Sequence, residues 1–451
     1  MKIDIPARTV DVTSVLEDQK VSGFLIKATF WLTLMMFFDG YNIQALSYAA
    51  PAIVRAWGMS RGALGIIFSL TLVGALLGAV LFGAISDRFG RKPAIATAAV
   101  LFGVIAIITG LAATPLQLGV LRFVGGVAIG GLAPAGQALA AELAPSRFRA
   151  TLVTIVMSGF ILGISAGGLV ALLIPGFGWQ IIFHVGGGAS LLVTACFWRY
   201  VPESLRFLVV NRRSRAQIVD VLRRMGRADL DRPDADFVVS DEPPPARGWS
   251  RVAMLFQGRL LWITPLWCVS CLLGSLETNA LMNWMPTLFE QKGLPAHSAV
   301  LSLTLFSSAG LLGSLTLMRF VDRFGSIAIA AMPLTAAPLI ALLGYDYSVP
   351  GSYLTLIAAA GFFLMGGHFC ITGVGGLFYP SACRASGYAT ATVVGRAGGI
   401  VGPLLGGELL NGGVALPRIF LVFGLIPLAL AAVVLSLGLQ HRLLIRARTG
   451  V

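Results

Sequence analysis

The sequence predicts an all-α membrane protein with twelve transmembrane helices in two pseudo-symmetric six-helix bundles. Of its 451 residues, 57% are hydrophobic and only 12% are charged, whereas soluble globular chains carry about 25% charged residues. Runs without charge, such as 94–113 and 151–174, reach the ~20 residues needed to cross ~30 Å of hydrocarbon. Two loop motifs also recur at a single spacing. A soluble α-helical enzyme could not bury so many apolar helices.

We predict the twelve spans, in order, at 24–50, 63–85, 93–113, 116–138, 151–174, 180–200, 260–286, 298–320, 327–345, 352–375, 389–411 and 417–438. The first apolar run begins near Phe24 with no small-residue cleavage site before it, so helix 1 is expected to remain as a span. Loops after even-numbered helices carry most of the basic residues, which is the positive-inside pattern. We therefore expect a multi-pass protein of a bacterial-type inner membrane with both termini cytoplasmic.

The loop motifs form an internal repeat. Asp-Arg-Phe-Gly at 87–90 recurs at 322–325, and Pro-Ser-x-x-Arg-Ala at 145–150 recurs at 380–385. Both offsets are 235 residues, and each motif falls in a loop predicted to be cytoplasmic. Two parallel halves of six helices explain this pattern, which is an arrangement found in secondary transporters.

The two halves are predicted at 1–201 and 260–451, and the loop 202–259 joins them. This loop is rich in Arg and Asp and contains three consecutive prolines, a composition typical of segments that join domains. We interpret it as a solvated cytoplasmic linker. A short amphipathic helix within 214–226 is the alternative.

Two segments carry a family resemblance. The segment 83–92, Gly-x-x-Ser-Asp-Arg-Phe-Gly-Arg-Lys, strongly resembles the signature that the major facilitator superfamily carries between helices 2 and 3. The segment 202–208, Pro-Glu-Ser-x-Arg-Phe-Leu, is similar to the signature of sugar and organic-acid porters after helix 6. The resemblance implies the major facilitator fold, in which helices 1, 4, 7 and 10 line a central path.

The resemblance further implies a charge network that stabilises the cytoplasmic gate. Asp87 can pair with an arginine or with a helix N-terminus and hold the two halves closed. Arg91 and Lys92 alone could instead merely orient the chain. The predicted gating residues are Gly83, Asp87, Arg88, Gly90, Arg91, Glu142, Arg149, Asp322, Arg323 and Arg384.

A narrower resemblance is to the aromatic acid:proton symporters. Members of that family carry Asp-Gly-x-Asp in helix 1, and this chain has Asp-Gly-Tyr-Asn at 39–42. Similar motifs are Arg-Phe-x-Gly-Gly at 122–126, Tyr-Pro-x-x-x-Arg-x-x-Gly at 379–387 and Gly-Arg-x-Gly at 395–398. The resemblance implies proton-coupled uptake of a small aromatic carboxylate. The departure is Asn42, where the family usually has a second aspartate.

Few ionisable residues lie inside the predicted spans. Each costs about 2.5–3.5 kcal/mol on insertion scales and usually faces a cavity. The first helices of the four three-helix units each contribute one ionisable residue away from the span ends, namely Asp39, Arg122, Glu277 and His368. This placement argues against random polar decoration, although a histidine in a span is often a packing residue.

Two arginines are candidates for binding an anion, since a guanidinium matches a carboxylate in geometry. Arg122 could capture a substrate carboxylate or pair with Asp39, and the alternative is a buried ion pair that only fixes helix packing. Arg396 could also capture an anion, or it could bond to carbonyls at a helix end.

Two carboxylates are candidates for coupling transport to protons. Asp39 is one, because a carboxyl group can bind and release a proton. Burial and a neighbouring arginine shift the pKa of such a group in opposite directions, and a site balanced between them can couple proton binding to substrate binding. Glu277 stands at the repeat position of Asn42 and could supply a second carboxylate from the other half. The alternatives are a structural hydrogen bond for Asp39 and, for Glu277, bonds to Asn279 or Asn283.

The leading function is proton-coupled uptake of a hydroxybenzoate-like acid, and a porter of another organic acid, a sugar or a drug is the alternative. A sensor or an enzyme is disfavoured, since we find no added signalling domain, no nucleophile–base pair and no metal ligand set. The expected partners are a small organic anion, protons and the bilayer, with no cofactor, metal or nucleic acid, and the protein is expected to be monomeric. The predicted substrate site comprises Asp39, Tyr41, Asn42, Arg122, Glu277, Asn283, Trp284, His368 and Arg396.

Overall fold

The computed structural model describes residues 9–19, 22–231, 236–240, 254–258, 260–324, 326–345, 350–374, 379 and 383–449, and it is almost entirely helical. Two short strands, β1 (Thr9–Asp11) and β2 (Asp236–Val238), pair in parallel. The helices are α1 (Val12–Glu17), α2 (Gly23–Trp57), α3 (Arg61–Phe89), α4 (Arg91–Thr109), α5 (Pro115–Leu143), α6 (Arg149–Ala171), α7 (Ile174–Phe177), α8 (Gln180–Tyr200), α9 (Leu205–Val210), α10 (Arg215–Arg224), α11 (Leu260–Gln291), α12 (Ala296–Phe324), α13 (Ser326–Leu342), α14 (Pro350–Val374), α15 (Arg384–Asn411) and α16 (Leu416–Thr449).

Each of the twelve predicted spans coincides with one of these helices. Within the described part of the chain, eleven helices are long and apolar enough to cross a membrane, and α13 is a further apolar helix of 17 residues. The all-α membrane architecture is therefore confirmed. Several helices run past the predicted limits. The first, α2, has 35 residues and ends at Gly58, whose φ of 58° lies in the left-handed region that glycine adopts without strain.

The two halves pack their helices in the same way. In the N-terminal half the extensive pairings are α2 with α6, α3 with α5, and α4 with α8 as well as with α5. In the C-terminal half they are α11 with α15, α12 with α14, and α13 with α16. If the six spans of each half are counted in chain order, the first span packs on the fifth, the second on the fourth and the third on the sixth in both halves. The packing therefore follows the 235-residue repeat seen in the loops.

Glycines at equivalent positions permit the closest of these helix contacts. A side chain added to Gly163 of α6 would collide with the carbonyl oxygen of Phe37 in α2. The equivalent glycine in the second half, Gly398, faces the carbonyl oxygen of Leu272 in the same way. Because backbones approach this closely only where small residues stand at the crossing, the repeat extends from the loops into the helix interfaces.

Part of the linker between the halves is folded. Helices α9 and α10 pack with α1 around one apolar cluster, which consists of Val12, Val15, Leu16, Leu205, Phe207, Leu208, Ile218, Val221, Leu222 and Met225. The interpretation of the whole linker as solvated is therefore wrong for the segment 205–224, and the alternative amphipathic helix is present as α10. The physical reason is that apolar residues at helical spacing on α10 meet the apolar side of the N-terminal segment.

The turn between α3 and α4 is held by a carboxylate from the start of the linker. Glu203 accepts hydrogen bonds from the backbone amides of Arg91 and Lys92 at 3.1 and 3.2 Å, where the positive end of the α4 dipole favours an anion. Gly90 makes this contact possible with a φ of 116° and a ψ of 163°, a region that is essentially restricted to glycine. An added Cβ at Gly90 would also collide with the Glu203 carboxylate.

We call the end of the bundle at which α2 begins and the linker lies the linker end, and the opposite end the outer end. The positive-inside pattern predicts that the linker end is cytoplasmic.

We expect the same substitution, glycine to alanine, to have opposite effects at the two glycines of the 83–92 motif. Gly90→Ala is expected to lower the melting temperature clearly, because the strained backbone costs about 1–3 kcal/mol and the Glu203 contact is displaced. Gly83→Ala is the matched control, since no atom of the described residues lies within 4 Å of its added Cβ and alanine favours a helix by about 0.5–1 kcal/mol. Equal melting temperatures for the two purified variants would contradict the assignment of the strain to Gly90.

The predicted orientation is tested by cysteine labelling in a cysteine-free background. Ala228 follows α10 and Ala296 begins α12, and both are exposed. We expect Ala296→Cys to react with an impermeant maleimide added to intact spheroplasts, and Ala228→Cys to react only after lysis. Reaction of both cysteines from outside would exclude the predicted orientation.

Candidate functional site

The two halves are joined at the outer end by hydrogen bonds between small polar side chains and backbone carbonyls. Gln44 donates to the carbonyl of Met282 at 2.8 Å, and Ser47 donates to Asn283 at 3.0 Å. The hydroxyls of Tyr48 and Thr304 are 3.3 Å apart. We call this layer the outer seal, and it consists of Gln44, Ser47, Tyr48, Ser165, Met282, Asn283, Thr304 and Ser308.

A cavity of about 530 Å³ lies between the halves on the linker side of this seal. The N-terminal half contributes walls from α5 and α6, and the C-terminal half contributes α11, α12, α14 and α15. Of the four helices expected to line the path, α5, α11 and α14 do so, whereas α2 supplies no lining residue to this cavity. We call it the central cavity.

The central cavity combines aromatic rings, hydroxyls and one arginine. Its ring-bearing and polar lining residues are Gln137, Thr154, Ser158, Phe160, Trp267, Ser275, Ser314, His368, Phe369, Tyr388, Thr392 and Arg396. Arg396 donates from Nη1 to the carbonyl oxygen of Ala75 in α3 at 3.0 Å. That carbonyl is in the middle of a helix of the other half. Arg396 therefore does not form the predicted alternative, a bond to carbonyls at a helix end.

Asp39 is buried within the N-terminal half, with 2% of its surface exposed. On the same face of α2, Met36 lies against Gly136 of α5, and Ile43 packs on the cluster that contains Ala128 of α5. At the same helical spacing, Met35 and Asn42 lie against α8, so Asp39 faces the interior of the N-terminal half. Neither carboxylate oxygen has a hydrogen-bond partner in the described part of the chain, so the predicted alternative of a structural hydrogen bond is not formed.

Arg122 is equally buried but does not meet Asp39. Its Nη2 donates to the backbone carbonyl of Asn42 at 3.5 Å, and its Cζ lies 5.7 Å from the ring centroid of Phe183. None of the ion pairs formed by the described residues includes this arginine. The predicted ion pair with Asp39 is therefore not formed in this structure.

The two residues after Gly40 in α2 also lie inside the N-terminal half. Tyr41 donates its hydroxyl to the carbonyl of Ile182 at 2.9 Å. Asn42 donates its amide to the carbonyl of Phe38 at 2.7 Å, and its buried oxygen has no partner among the described residues. Neither side chain lines the central cavity.

Glu277 is fully buried in the C-terminal half. Both carboxylate oxygens lack a hydrogen-bond partner within the described residues. Asn279 donates to the carbonyl of Ser275 and Asn283 donates to the carbonyl of Asn279, at 2.9 and 2.8 Å. The predicted polar patch of Glu277 with these amides is therefore not formed.

Asn283 and Trp284 belong to the contact between the halves. Asn283 accepts from Ser47 in the outer seal. Trp284 is fully buried, donates its indole N–H to the carbonyl of Pro403 at 2.9 Å, and meets Phe68 of the other half edge-on at 5.5 Å.

The predicted substrate residues therefore fall into three places. His368 and Arg396 line the central cavity, Asn283 and Trp284 hold the halves together, and the others are buried inside one half. Their roles in binding stay predictions.

Three of the predicted gating charges, Asp87, Arg91 and Glu142, form a network within the N-terminal half. Arg91 contacts Asp87 at 2.6 Å and Glu142 at 3.2 Å, and the carbonyl of Arg88 accepts from Arg213 at 2.8 Å. Burial raises the pKa of the neighbouring Glu203 carboxyl above its usual value, against the opposing effect of the amides it accepts from.

Three predicted gating residues lie in the second half, and one more begins α6. The side chains of Asp322, Arg323 and Arg384 lie outside the described residues, so a contact between the two motifs stays a prediction. Arg149 has its Nε buried without a partner among the residues that the structure describes.

Sequence reasoning missed the outer seal. Gln44, Ser47 and Tyr48 occupy one face of α2 at spacings of three and four residues. Such a polar stripe within an apolar span was the available signal, because hydroxyls and amides in membrane helices bond across to neighbouring helices. The ion pair between Arg55 and Glu290, which also joins the halves, could not be found without knowing which loops meet.

Comparison with known proteins identifies the family of this chain. A sequence model of the Major Facilitator Superfamily matches residues 32–403. The gallate transporter of Pseudomonas putida is 30% identical over 97% of this chain and 96% of its own length. The 4-hydroxybenzoate transporter PcaK of Acinetobacter baylyi is 30% identical over 94% of this chain and 93% of its own length.

Solved structures share the same fold. The D-xylose-proton symporter superposes with a TM-score of 0.72 at 18% identity, covering 91% of this chain and 97% of that one. At this identity the likeness concerns the fold alone. Together with the family match over most of the chain and the named relatives, it shows that the protein belongs to the major facilitator superfamily and is a membrane transporter related to aromatic acid transporters, not an enzyme.

Proposed function

We propose that this transporter takes up a small aromatic carboxylate, such as a hydroxybenzoate, together with protons. The observation that carries the proposal is Arg396 in the wall of a central cavity rich in aromatic rings. Binding sites for small molecules are mostly apolar pockets with a few placed polar groups, and this cavity offers rings for a ring and a guanidinium for a carboxylate. The names of two relatives, for gallate and for 4-hydroxybenzoate, support this substrate class.

Arg396 also offers a way to couple binding to movement. Its bond to the Ala75 carbonyl joins α15 of one half to α3 of the other. A carboxylate is a stronger acceptor for a guanidinium than a neutral carbonyl is, because the hydrogen bond is charge-assisted. A substrate that takes this arginine would thus loosen one connection between the halves, and a ligand moves a conformational equilibrium only through such differential contacts.

Asp39 and Glu277 support proton coupling because neither carboxylate has a hydrogen-bond partner among the described residues. A buried carboxylate that is ionised and unpaired costs several kcal/mol, and a bound proton removes that cost. One such group lies in each half. A change of conformation that exposed either group to water would release its proton, which is the requirement for coupling.

Uptake into proteoliposomes tests the substrate class. We expect wild-type protein to accumulate radiolabelled 4-hydroxybenzoate when a pH gradient is imposed, and Arg396→Gln to weaken its binding roughly ten- to a hundred-fold, since a hydrogen bond to a charged group contributes about 1.5–3 kcal/mol. Arg396→Lys is the matched control, because it keeps the charge but loses the paired N–H donors with which a guanidinium can bind both oxygens of a carboxylate.

The neutral analogue 4-hydroxybenzamide identifies which arginine holds the carboxylate. Its binding should be insensitive to substitution at that position. If neither Arg396→Gln nor Arg122→Gln changes the binding of the acid, the anion site is elsewhere. Uptake of a sugar or an aliphatic acid in place of the aromatic acids would replace the proposed substrate.

Neutral substitutions at the two carboxylates test the coupling. Asp39→Asn and Glu277→Gln nearly keep shape and cannot titrate, so we expect the proton carrier's variant to lose accumulation driven by a pH gradient while exchange at equal concentrations continues. The comparison of accumulation with exchange in the same vesicles isolates the proton step. If both variants still concentrate 4-hydroxybenzoate, neither residue is the carrier and symport through them is excluded.

A further inference from the structure

A second cavity of about 570 Å³ opens at the outer end. Its walls come from both halves, namely the ends of α2 and α6, α7 and the two residues before α8 on one side, and α11 and α12 on the other. Its exposed members include Arg55, Ala56, Pro175 and His297, so the cavity is reached from outside the bundle. We call it the outer pocket.

The outer pocket presents one arginine beside aromatic rings and prolines. Its lining includes Tyr48, Pro51, Trp179 and Pro286, all of which offer apolar surface. Arg55 forms an ion pair with Glu290 across the two halves. Its side chain is nevertheless 56% exposed, against 26% for Glu290, so the guanidinium remains accessible while paired.

The outer pocket and the central cavity lie along one seam. Helices α6, α11 and α12 form walls of both. Along α12 the outer pocket ends at Val300 and the central cavity begins at Leu311, a separation of ~16 Å at 1.5 Å per residue. Thr304 of the outer seal lies between them, bonded to Tyr48, which itself lines the outer pocket.

The charge around the outer pocket suits an anion. Among the described residues of the outer end, Arg55, Arg61, Lys292 and Arg418 outnumber the two carboxylates, Glu290 and Glu408. Excess charge of one sign around a cleft raises the local concentration of the opposite ion. A carboxylate that arrives here meets Arg55 as the cation of the pocket itself.

We infer that the outer pocket is an entry site for the transported acid, in which the substrate carboxylate replaces Glu290 on Arg55. This inference rests on the proposed function. An ion pair as exposed as Arg55–Glu290 contributes little net free energy, so the exchange of one carboxylate for another is nearly balanced. The exchange removes an ion pair between the halves directly above the outer seal. The aromatic ring of the substrate packs against the apolar wall around Trp179.

An entry site predicts different kinetics from an ion pair that only holds the two halves together. Arg55→Gln and Glu290→Gln both remove the ion pair. If the pair only holds the halves together, the two variants should therefore show the same shift in the KM for uptake. An entry site needs the arginine and is inhibited by the glutamate. We expect Arg55→Gln to raise the KM for 4-hydroxybenzoate by up to about fivefold relative to Glu290→Gln, in proportion to the ~1 kcal/mol that an exposed ion pair contributes at most. Equal KM values in the two variants would overturn the inference.

Protection from labelling measures the site without transport. In detergent and in a cysteine-free background, 4-hydroxybenzoate should slow the reaction of Ala56→Cys with a maleimide, and 4-hydroxybenzamide should not. Adding Arg55→Gln should abolish the protection, whereas adding Glu290→Gln should strengthen it. Protection that survives Arg55→Gln would overturn the entry site. If wild-type protein takes up no aromatic acid, the proposed function fails; if it does so while Arg55 has no effect in either assay, only the entry site fails.

Discussion

The contact between the two halves at the outer end is the constraint on which the rest of the structure depends. Besides the Arg55–Glu290 ion pair and the packing of Trp284 on Phe68, it includes neutral hydrogen bonds that involve the outer seal, each of which contributes only about 0.5–1.5 kcal/mol net. The same contact closes the path on one side and leaves the central cavity on the other. Hydrogen bonds this weak can be exchanged for another set at low cost, and alternation between two states requires such near-balance.

Within each half the packing has the opposite character. Backbone meets backbone where Gly163 faces Phe37 and Gly398 faces Leu272, so any sliding of these helices would bring side chains into collision. Closely packed interiors do not deform continuously, and we therefore expect movement at the seam, as rotation of one half against the other. The turn at Gly90, with Glu203 bound to the start of α4, connects the linker to the rigid N-terminal half rather than to the seam.

The sequence predicted what local physics determines and missed what depends on the pairing of distant helices. Charge-free runs of span length predicted each helix, since a membrane helix satisfies its own backbone. The motif repeat predicted the two halves. The distribution of the polar residues could not be predicted, because a helix position does not say which neighbour it faces. The sequence thus predicts Asp39 and Arg122 on the path, whereas they lie inside one half. It also predicts a solvated α10, whereas the apolar face of this helix lies in one cluster with α9 and α1.

The charges inside the N-terminal half show what the asparagine at position 42 changes. Arg122 reaches the backbone of Asn42 and has no carboxylate partner among the described residues. An aspartate at this position would add a carboxylate to the turn of α2 whose backbone the guanidinium reaches, and if it paired with Arg122 it would compete with any incoming carboxylate. Asparagine keeps the shape and removes the competitor, but it leaves a buried charge uncompensated, which is costly. If an anion reaches Arg122 in another arrangement of the halves, that cost disappears there, and its loss would favour that arrangement.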